Sequence, residues 1–246
     1  MTSIAANHLM TNTKGRSRDF ISITIIIILL IRLVLVGCMG PMPQDAYYFM
    51  YSEHPALSYF DHPPMIAYIL KVFVSIFGKN VFAIKLANTV VTFLTLYFFY
   101  RLARNMMGPA RARKAILLLF STVMISIISL VSTPDTPLLL FWTLSLLFLH
   151  KALFKEKNFA WLWAGFWMGI AFDSKYSAIF LPVGLIFFLL FSDRYRKKLI
   201  SPWFGLAIII FLVVISPVFI WNLQHDFASF RFQSSERAGG IGGHVY

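Results

Sequence analysis

Long apolar runs separated by short polar breaks set the pattern of this chain. A helix needs roughly 20 mostly apolar residues to cross about 30 Å of hydrocarbon. Residues 20–39 form the first such run, interrupted by Arg32. Residues 81–100, 115–131 and 138–153 follow, then the shorter runs Phe159–Phe172 and 179–191, parted by the polar stretch 173–177. Residues 203–221 close the series, so the pattern predicts an all-α bundle of about seven spans. Residues 63–77 are also apolar, but the run is short, starts at Pro63-Pro64 and holds Lys71. It reads as a helix lying on the membrane surface rather than crossing it.

The polar breaks alternate in charge. Lys14, Arg16 and Arg18 precede the first run, and Arg101, Arg104, Arg111, Arg113 and Lys114 separate the second from the third. Lys151, Lys155 and Lys157 separate the fourth from the fifth, and Arg194, Arg196, Lys197 and Lys198 the sixth from the seventh. With seven spans all four clusters share one side, which the positive-inside rule makes cytoplasmic, together with the N-terminal tail 1–19. The formal charge of +12 is thereby explained without a nucleic-acid partner. Composition agrees, with 59% hydrophobic and only 13% charged residues, where soluble domains carry about a quarter. The single cysteine, Cys38, excludes an internal disulfide. Lys14 to Arg18 before an apolar run also resembles a secretory signal, and Leu35 to Cys38 a lipoprotein cleavage site. The length of the run and the spans after it favour an uncleaved anchor.

Acidic groups gather on the opposite, outer side: Asp45, Glu53, Asp61, Asp135, Asp173, Asp226 and Glu236. The first outer loop, about 40–80, is the densest. Its segment 44–64 reads QDAYYFMYSEHPALSYFDHPP, with three carboxylates, two histidines and several aromatic rings. A turn between spans needs far less, so this loop is the candidate site. Asp45 opens a short predicted helix, either as a cap favoured by the helix dipole or as a general base. Asp61-His62 before Pro63-Pro64 sets a carboxylate beside an imidazole on an extended segment, either capping the next helix or binding a divalent ion or an anion. Asp135 either caps the fourth span or joins the site. Lys175 either pairs with Asp173 or meets a phosphate. Asn222 and Gln224 read as a satisfied helix end, with Arg231 beyond. Arg32 reads as structural, facing the bundle. The Gly-rich 239–243 follows no strand, which excludes a dinucleotide loop.

Taken together, the string Gln44-Asp45-Ala46-Tyr47-Tyr48, the string from Leu57 to Pro64, Thr133-Pro134-Asp135, Ser174-Lys175-Tyr176 and the run Trp221-Asn222 to Gln233 resemble the lipid-linked-sugar glycosyltransferases of the GT-C fold. These include protein O-mannosyltransferases and lipid A aminoarabinose transferases. The resemblance covers about 20–235. It implies transfer of a sugar from a polyprenyl-phosphate donor to a lipid A, glycan or protein acceptor, with inversion, at the outer face of a bacterial cytoplasmic membrane. Relatives carry an Asp-Glu pair where this chain has Gln44-Asp45, and the Asp of that pair is their proposed base. The carboxylate of the pair here is Asp45, which takes the base assignment. Asp61 and His62 would hold the leaving phosphate, directly or through a divalent metal ion, the one cofactor considered. Lys175 and Arg231 are further phosphate contacts, with Asp135 beside them. Tyr47, Tyr48, Tyr59 and Phe60 would line the sugar and prenyl path, or anchor the interface. Family members usually continue with more spans, so the segment 236–246 reads as the start of an interrupted outer loop. Two other readings fit part of the pattern: an inactive fragment, and a transporter or flippase for a lipid-linked substrate. The second expects charges near the midplane, whereas these gather at the outer ends.

Overall fold

The computed structural model describes residues 23–24, 26–27, 30–31, 34–122, 125, 127 and 130–236. The tail 1–19, Arg32, parts of the first and third predicted spans and the Gly-rich 239–243 lie outside these residues. The described residues are helical or loop, without strand. The helices are α1 Pro43–Glu53, α2 Met65–Phe77, α3 Val81–Met107, α4 Pro109–Ser121, α5 Asp135–Phe154, α6 Phe159–Phe172, α7 Phe180–Phe191, α8 Pro202–Gln224 and the short α9 Ala228–Arg231. The described residues between 23 and 38 are also helical.

Three of these, α3, α5 and α8, are long and apolar enough to cross a membrane. Met65–Phe77, Phe159–Phe172 and Tyr176–Phe191 are apolar but shorter. The last starts with a 3-10 turn, Tyr176–Ile179, that runs into α7. The predicted span 115–131 starts earlier, and beyond Ser121 the described residues 125 and 127 are also helical. Its helix starts at Pro109, because Gly108 turns the chain at φ 84° and proline suits the first helical position. It stops at Ser121, where the hydroxyls of Ser121 and Thr122 donate back to the carbonyls of Leu118 and Leu119. Arg111, Arg113 and Lys114 therefore ride on a helix instead of a loop.

Packing is densest where α6 lies between α5 and α8. Trp161, Met168 and Phe172 of α6 are buried among Phe204, Phe211 and Val218 of α8 and Leu189 of α7. Small residues make this approach possible. A Cβ on Gly165 would overlap the Ala207 carbonyl, and one on Gly169 would sit 2.6 Å from the Val214 Cβ. Pro217 inside α8 cannot donate to the carbonyl four residues back, Val213. The Ser216 hydroxyl fills that gap, donating to Val213 O at 2.8 Å.

The other half of the bundle is built on α3. Asn80 caps it, accepting from Ala83 N at 2.8 Å. One face buries Lys85, Asn88, Thr89, Thr92 and Thr95. The three threonine hydroxyls donate to the carbonyls of Lys85, Asn88 and Val91, so they cost little in an apolar setting. α2 buries Ile66, Ala67, Leu70 and Val74 against α1 and α3, while Val72, Ile76 and Phe77 stay exposed. The acidic segments thus hang on helices whose far ends carry the basic residues.

Candidate functional site

Asp45 occupies the third position of α1, where its carboxylate accepts from Met42 N at 2.8 Å and so caps the helix. The same oxygen, Oδ2, accepts from Lys85 Nζ at 2.6 Å. Oδ1 accepts from Ser132 N at 2.9 Å and from Ser132 Oγ at 2.8 Å. Both partners of the ion pair are fully buried. Lys85 also donates to Leu130 O at 2.6 Å, and Asn88 Nδ2 to Ser132 Oγ at 2.8 Å. Burial alone would raise the pKa of Asp45, but Lys85, Met42 and Ser132 outweigh it and hold the carboxyl below the ordinary range. Four donors use the lone-pair sites of a carboxylate. As placed, Asp45 has none left for an acceptor hydroxyl. Through these bonds Asp45, the expected general base, joins α1, α3 and the turn before α5. Gln44, its neighbour, is exposed.

Asp61 has a different setting. Its side chain is 16% exposed. Oδ1 accepts from the Tyr51 hydroxyl at 2.7 Å, and that hydroxyl lies 2.6 Å from the Tyr47 hydroxyl. His62 Nε2 lies 3.8 Å from Oδ2, outside hydrogen-bond range. Burial first, then bonding to Tyr47 and Asp61, pushes the Tyr51 phenol well up, so it stays a donor. Tyr47 is exposed beside it. Phe60 packs on Phe232 at 4.7 Å, and Gln233 donates to Asp61 O. Arg231 immediately precedes that pair, so the segment after α8 meets the first loop here.

Tyr48 and Tyr59, expected to line the sugar and prenyl path, are packed into the loop's own framework. Tyr48 is buried among Ile66, Leu70 and Ala83. Tyr59 stacks on Tyr51 at 4.0 Å and donates to the carbonyls of Tyr51 and His54, fixing the loop. Glu53 pairs at the periphery with Lys79 and Lys71.

Lys175 pairs with Asp135, at 2.8 and 3.0 Å, and not with its sequence neighbour Asp173. Asp173 is buried, its Oδ1 has no hydrogen-bond partner among the described residues, and burial pushes its carboxyl up to about 7. Its carbonyl accepts from Met65 N at 3.0 Å, tying this turn to the start of α2. Tyr176 next to it reaches Ser229 at 2.6 Å and Ser58 at 3.4 Å. Asn222, fully buried, donates to Val218 O and accepts from Phe230 N, which folds the chain after α8 back toward the loop.

The structure thus gathers Tyr47, Asp61, His62 and the segment carrying Arg231 in one place, with Asp135 and Lys175 on a neighbouring turn. Sequence reasoning missed Lys85. A lysine inside an otherwise apolar span was the available signal. Among the described residues no three His, Cys, Asp or Glu side chains converge as metal ligands. Asp61 and His62 are the two candidate donors in the first loop, 3.8 Å apart.

A family described as dolichyl-phosphate-mannose-protein mannosyltransferase matches residues 61–221. The lipid A galacturonosyltransferase RgtD of Rhizobium johnstonii is 25% identical over 190 residues, 76% of this chain and 40% of its own length. The lipopolysaccharide core galacturonosyltransferase RgtA of the same organism is 27% identical, over 78% of this chain and 38% of its own. The putative mannosyltransferase YycA of Bacillus subtilis is 25% identical, over 79% of this chain and 28% of its own. The chain therefore spans two-fifths or less of these relatives' lengths. The crystal structure of ArnT from Cupriavidus metallidurans in the apo state superposes with a TM-score of 0.66 at 18% identity. That match covers 92% of this chain and 44% of ArnT, and it shows the all-α GT-C fold. Its apolar helices make this an integral membrane protein. Because the matched region takes in more than half of the sequence, the chain belongs to the dolichyl-phosphate-mannose-protein mannosyltransferase family.

Proposed function

We propose that this chain carries the acidic side of a glycosyltransferase site. The enzyme moves a sugar from a polyprenyl-phosphate donor to a hydroxyl of a lipid, glycan or protein. The observation that carries the proposal is Asp61: a partly exposed carboxylate, oriented by Tyr51, at the meeting point of the first loop and the segment after α8. Its Oδ2 keeps acceptor capacity for a substrate proton. Family membership supports the reaction class.

In this reading Asp61 takes the proton of the acceptor hydroxyl. The acceptor oxygen attacks C1 of the sugar from the face opposite the phosphate, the C1–O bond to phosphate breaks, and the anomeric centre inverts. Polyprenyl phosphate leaves with the electron pair. Lys175 and Arg231 are the cations placed to meet its charge, Lys175 by exchanging Asp135 for phosphate. His62 lies beside the base, and Tyr47 borders the sugar. No step passes through a metal ion. The basic helix ends lie opposite the acidic ones, which supports a cytoplasmic basic end and an outward-facing site in a bacterial cytoplasmic membrane.

The test is turnover of a labelled polyprenyl-phosphate sugar by membranes containing the chain. General-base catalysis contributes about 100- to 10,000-fold. Asp61→Asn should lose turnover in that range while protein level and thermal midpoint hold. Unchanged turnover overturns the base assignment. Absence of any product from the wild-type chain, with lipid and protein acceptors supplied, overturns the enzymatic reading of this chain.

A further inference from the structure

At the end of the bundle opposite Asp45 and Asp61, two cavities adjoin. The first, of about 350 Å³, is apolar and lies between α3, α5 and α7. Leu149, His150 and Phe154 of α5 line one wall, and Gly184 and Phe188 of α7 another. The second, of about 400 Å³, is polar and is lined by Lys155, Arg194, Lys198 and Glu156. They share Leu153 and Phe154. Tyr195 forms the joint between them. It lines the polar cavity, and its ring packs on Phe154 and Phe188, both walls of the apolar one, at 5.6 Å.

Two features give the pair a ligand chemistry. Among the described residues no carboxylate lies within ion-pair distance of Lys155, Arg194 or Lys198, whereas the neighbouring Arg196 is engaged by Asp193. Glu156 is the one carboxylate in that lining, against three cations. In the apolar cavity His150 is the one polar side chain of the lining, one helical turn before Phe154. A lone imidazole in an apolar wall favours a polar ligand atom at that depth.

We propose that these cavities form one site for an anionic glycerophospholipid. The phosphodiester sits among Lys155, Arg194 and Lys198, an ester carbonyl accepts from His150 just below, and an acyl chain runs between α5 and α7 past Gly184. Charge complementarity selects the headgroup, and continuity between the cavities selects a lipid over a free phosphate. Basic pockets between membrane helices recognise anionic headgroups in this way. The site stands apart from the proposed sugar-transfer site and does not depend on it.

The test uses the full chain in phosphatidylcholine nanodiscs doped with phosphatidylglycerol, with retained lipid counted by native mass spectrometry. The wild type should retain phosphatidylglycerol in preference to phosphatidylcholine. The triple variant Lys155→Gln, Arg194→Gln, Lys198→Gln should lose that preference, on the order of 100-fold in affinity for three basic contacts. Gly184→Phe should empty the site of diacyl lipid. A Cβ at Gly184 meets nothing within 4 Å, and Gly184 lines the cavity that the added ring is meant to fill. The proposal is overturned if the triple variant keeps the wild-type preference, if Gly184→Phe retains phosphatidylglycerol unchanged, or if inorganic phosphate alone displaces the lipid from the wild type.

Discussion

Replacing Asp45 by asparagine preserves the shape of the side chain and changes one acceptor oxygen into an NH2 donor. Every group around Asp45 donates: Met42 N and Lys85 to Oδ2, Ser132 N and Oγ to Oδ1. The amide NH2 must therefore face donors in either orientation. Turned toward Oδ2, it loses the bonds from Met42 and Lys85. Turned toward Oδ1, it loses at least the bond from Ser132 N, and Lys85 keeps a neutral acceptor in a fully buried site. A lost charge-assisted bond is worth about 1.5–3 kcal/mol and a neutral one about 1. Breaking a buried pair by removing one partner costs about 3–5 kcal/mol. The two routes agree on a loss of roughly 3–4 kcal/mol. For a chain of this size that lowers the midpoint by very roughly 10 °C, given about 2–4 °C per kcal/mol. Lys85→Met leaves Asp45 three neutral donors and should cost slightly less. The double variant should cost less than the sum of the singles, because the second change removes a partner already orphaned. Thermal unfolding in detergent, followed by tryptophan fluorescence, measures all three. An Asp45→Asn protein with a wild-type midpoint and abolished turnover would refute the anchor and return Asp45 to the role of base.

Three further outcomes follow from the same geometry. Burial raises the Asp173 carboxyl from 3.8 to about 7 with Tyr68 nearby, so the folded state holds its proton more tightly than the unfolded one. Stability should therefore fall as pH rises from about 4 to 7. Asp173→Asn should leave the midpoint nearly unchanged at low pH and raise it at pH 8; equal shifts at both would contradict the burial argument. Gly165→Ala should destabilise by more than the usual 1–3 kcal/mol of overpacking, because the obstacle is the Ala207 backbone, while Gly205→Ala, which meets open space, should be neutral or stabilising. The proposed steps pass through no metal ion, so EDTA should leave turnover unchanged, and a chelator-sensitive rate restored by a divalent ion would require a metal step.

The fold was readable wherever burial is local. The run Phe159–Phe172 keeps its predicted bounds, and the last span, read as 203–221, is observed as Pro202–Gln224. Hydropathy averages over a window, and a window is what a span is. The start of the third span was placed late, because a helix can begin in a basic stretch when glycine and proline turn the chain, as at Gly108-Pro109. The site was half legible. The loop and most of its side chains were named, but their partners lie far along the chain. Asp45 meets Ser132 across 87 positions, and Lys175 meets Asp135 across 40. Adjacency suggested Asp173 for Lys175, yet Asp173 turns into the protein toward α2. Lys85 was averaged away inside an apolar span, and only its partner reveals why it is there.

That lysine also constrains how the protein is assembled. It is the fifth residue of α3, close enough to the helix end to snorkel into water while the span stands alone in the bilayer. In the finished protein it is fully buried between Asp45 and Leu130. The segment 130–132 is made later than α3, so the second acceptor of the ammonium and the remaining donors to Asp45 arrive only with the later segments. A nascent chain arrested before Leu130 has the Asp45 partner of Lys85 but lacks the Leu130 carbonyl and the Ser132 donors that complete the buried cluster.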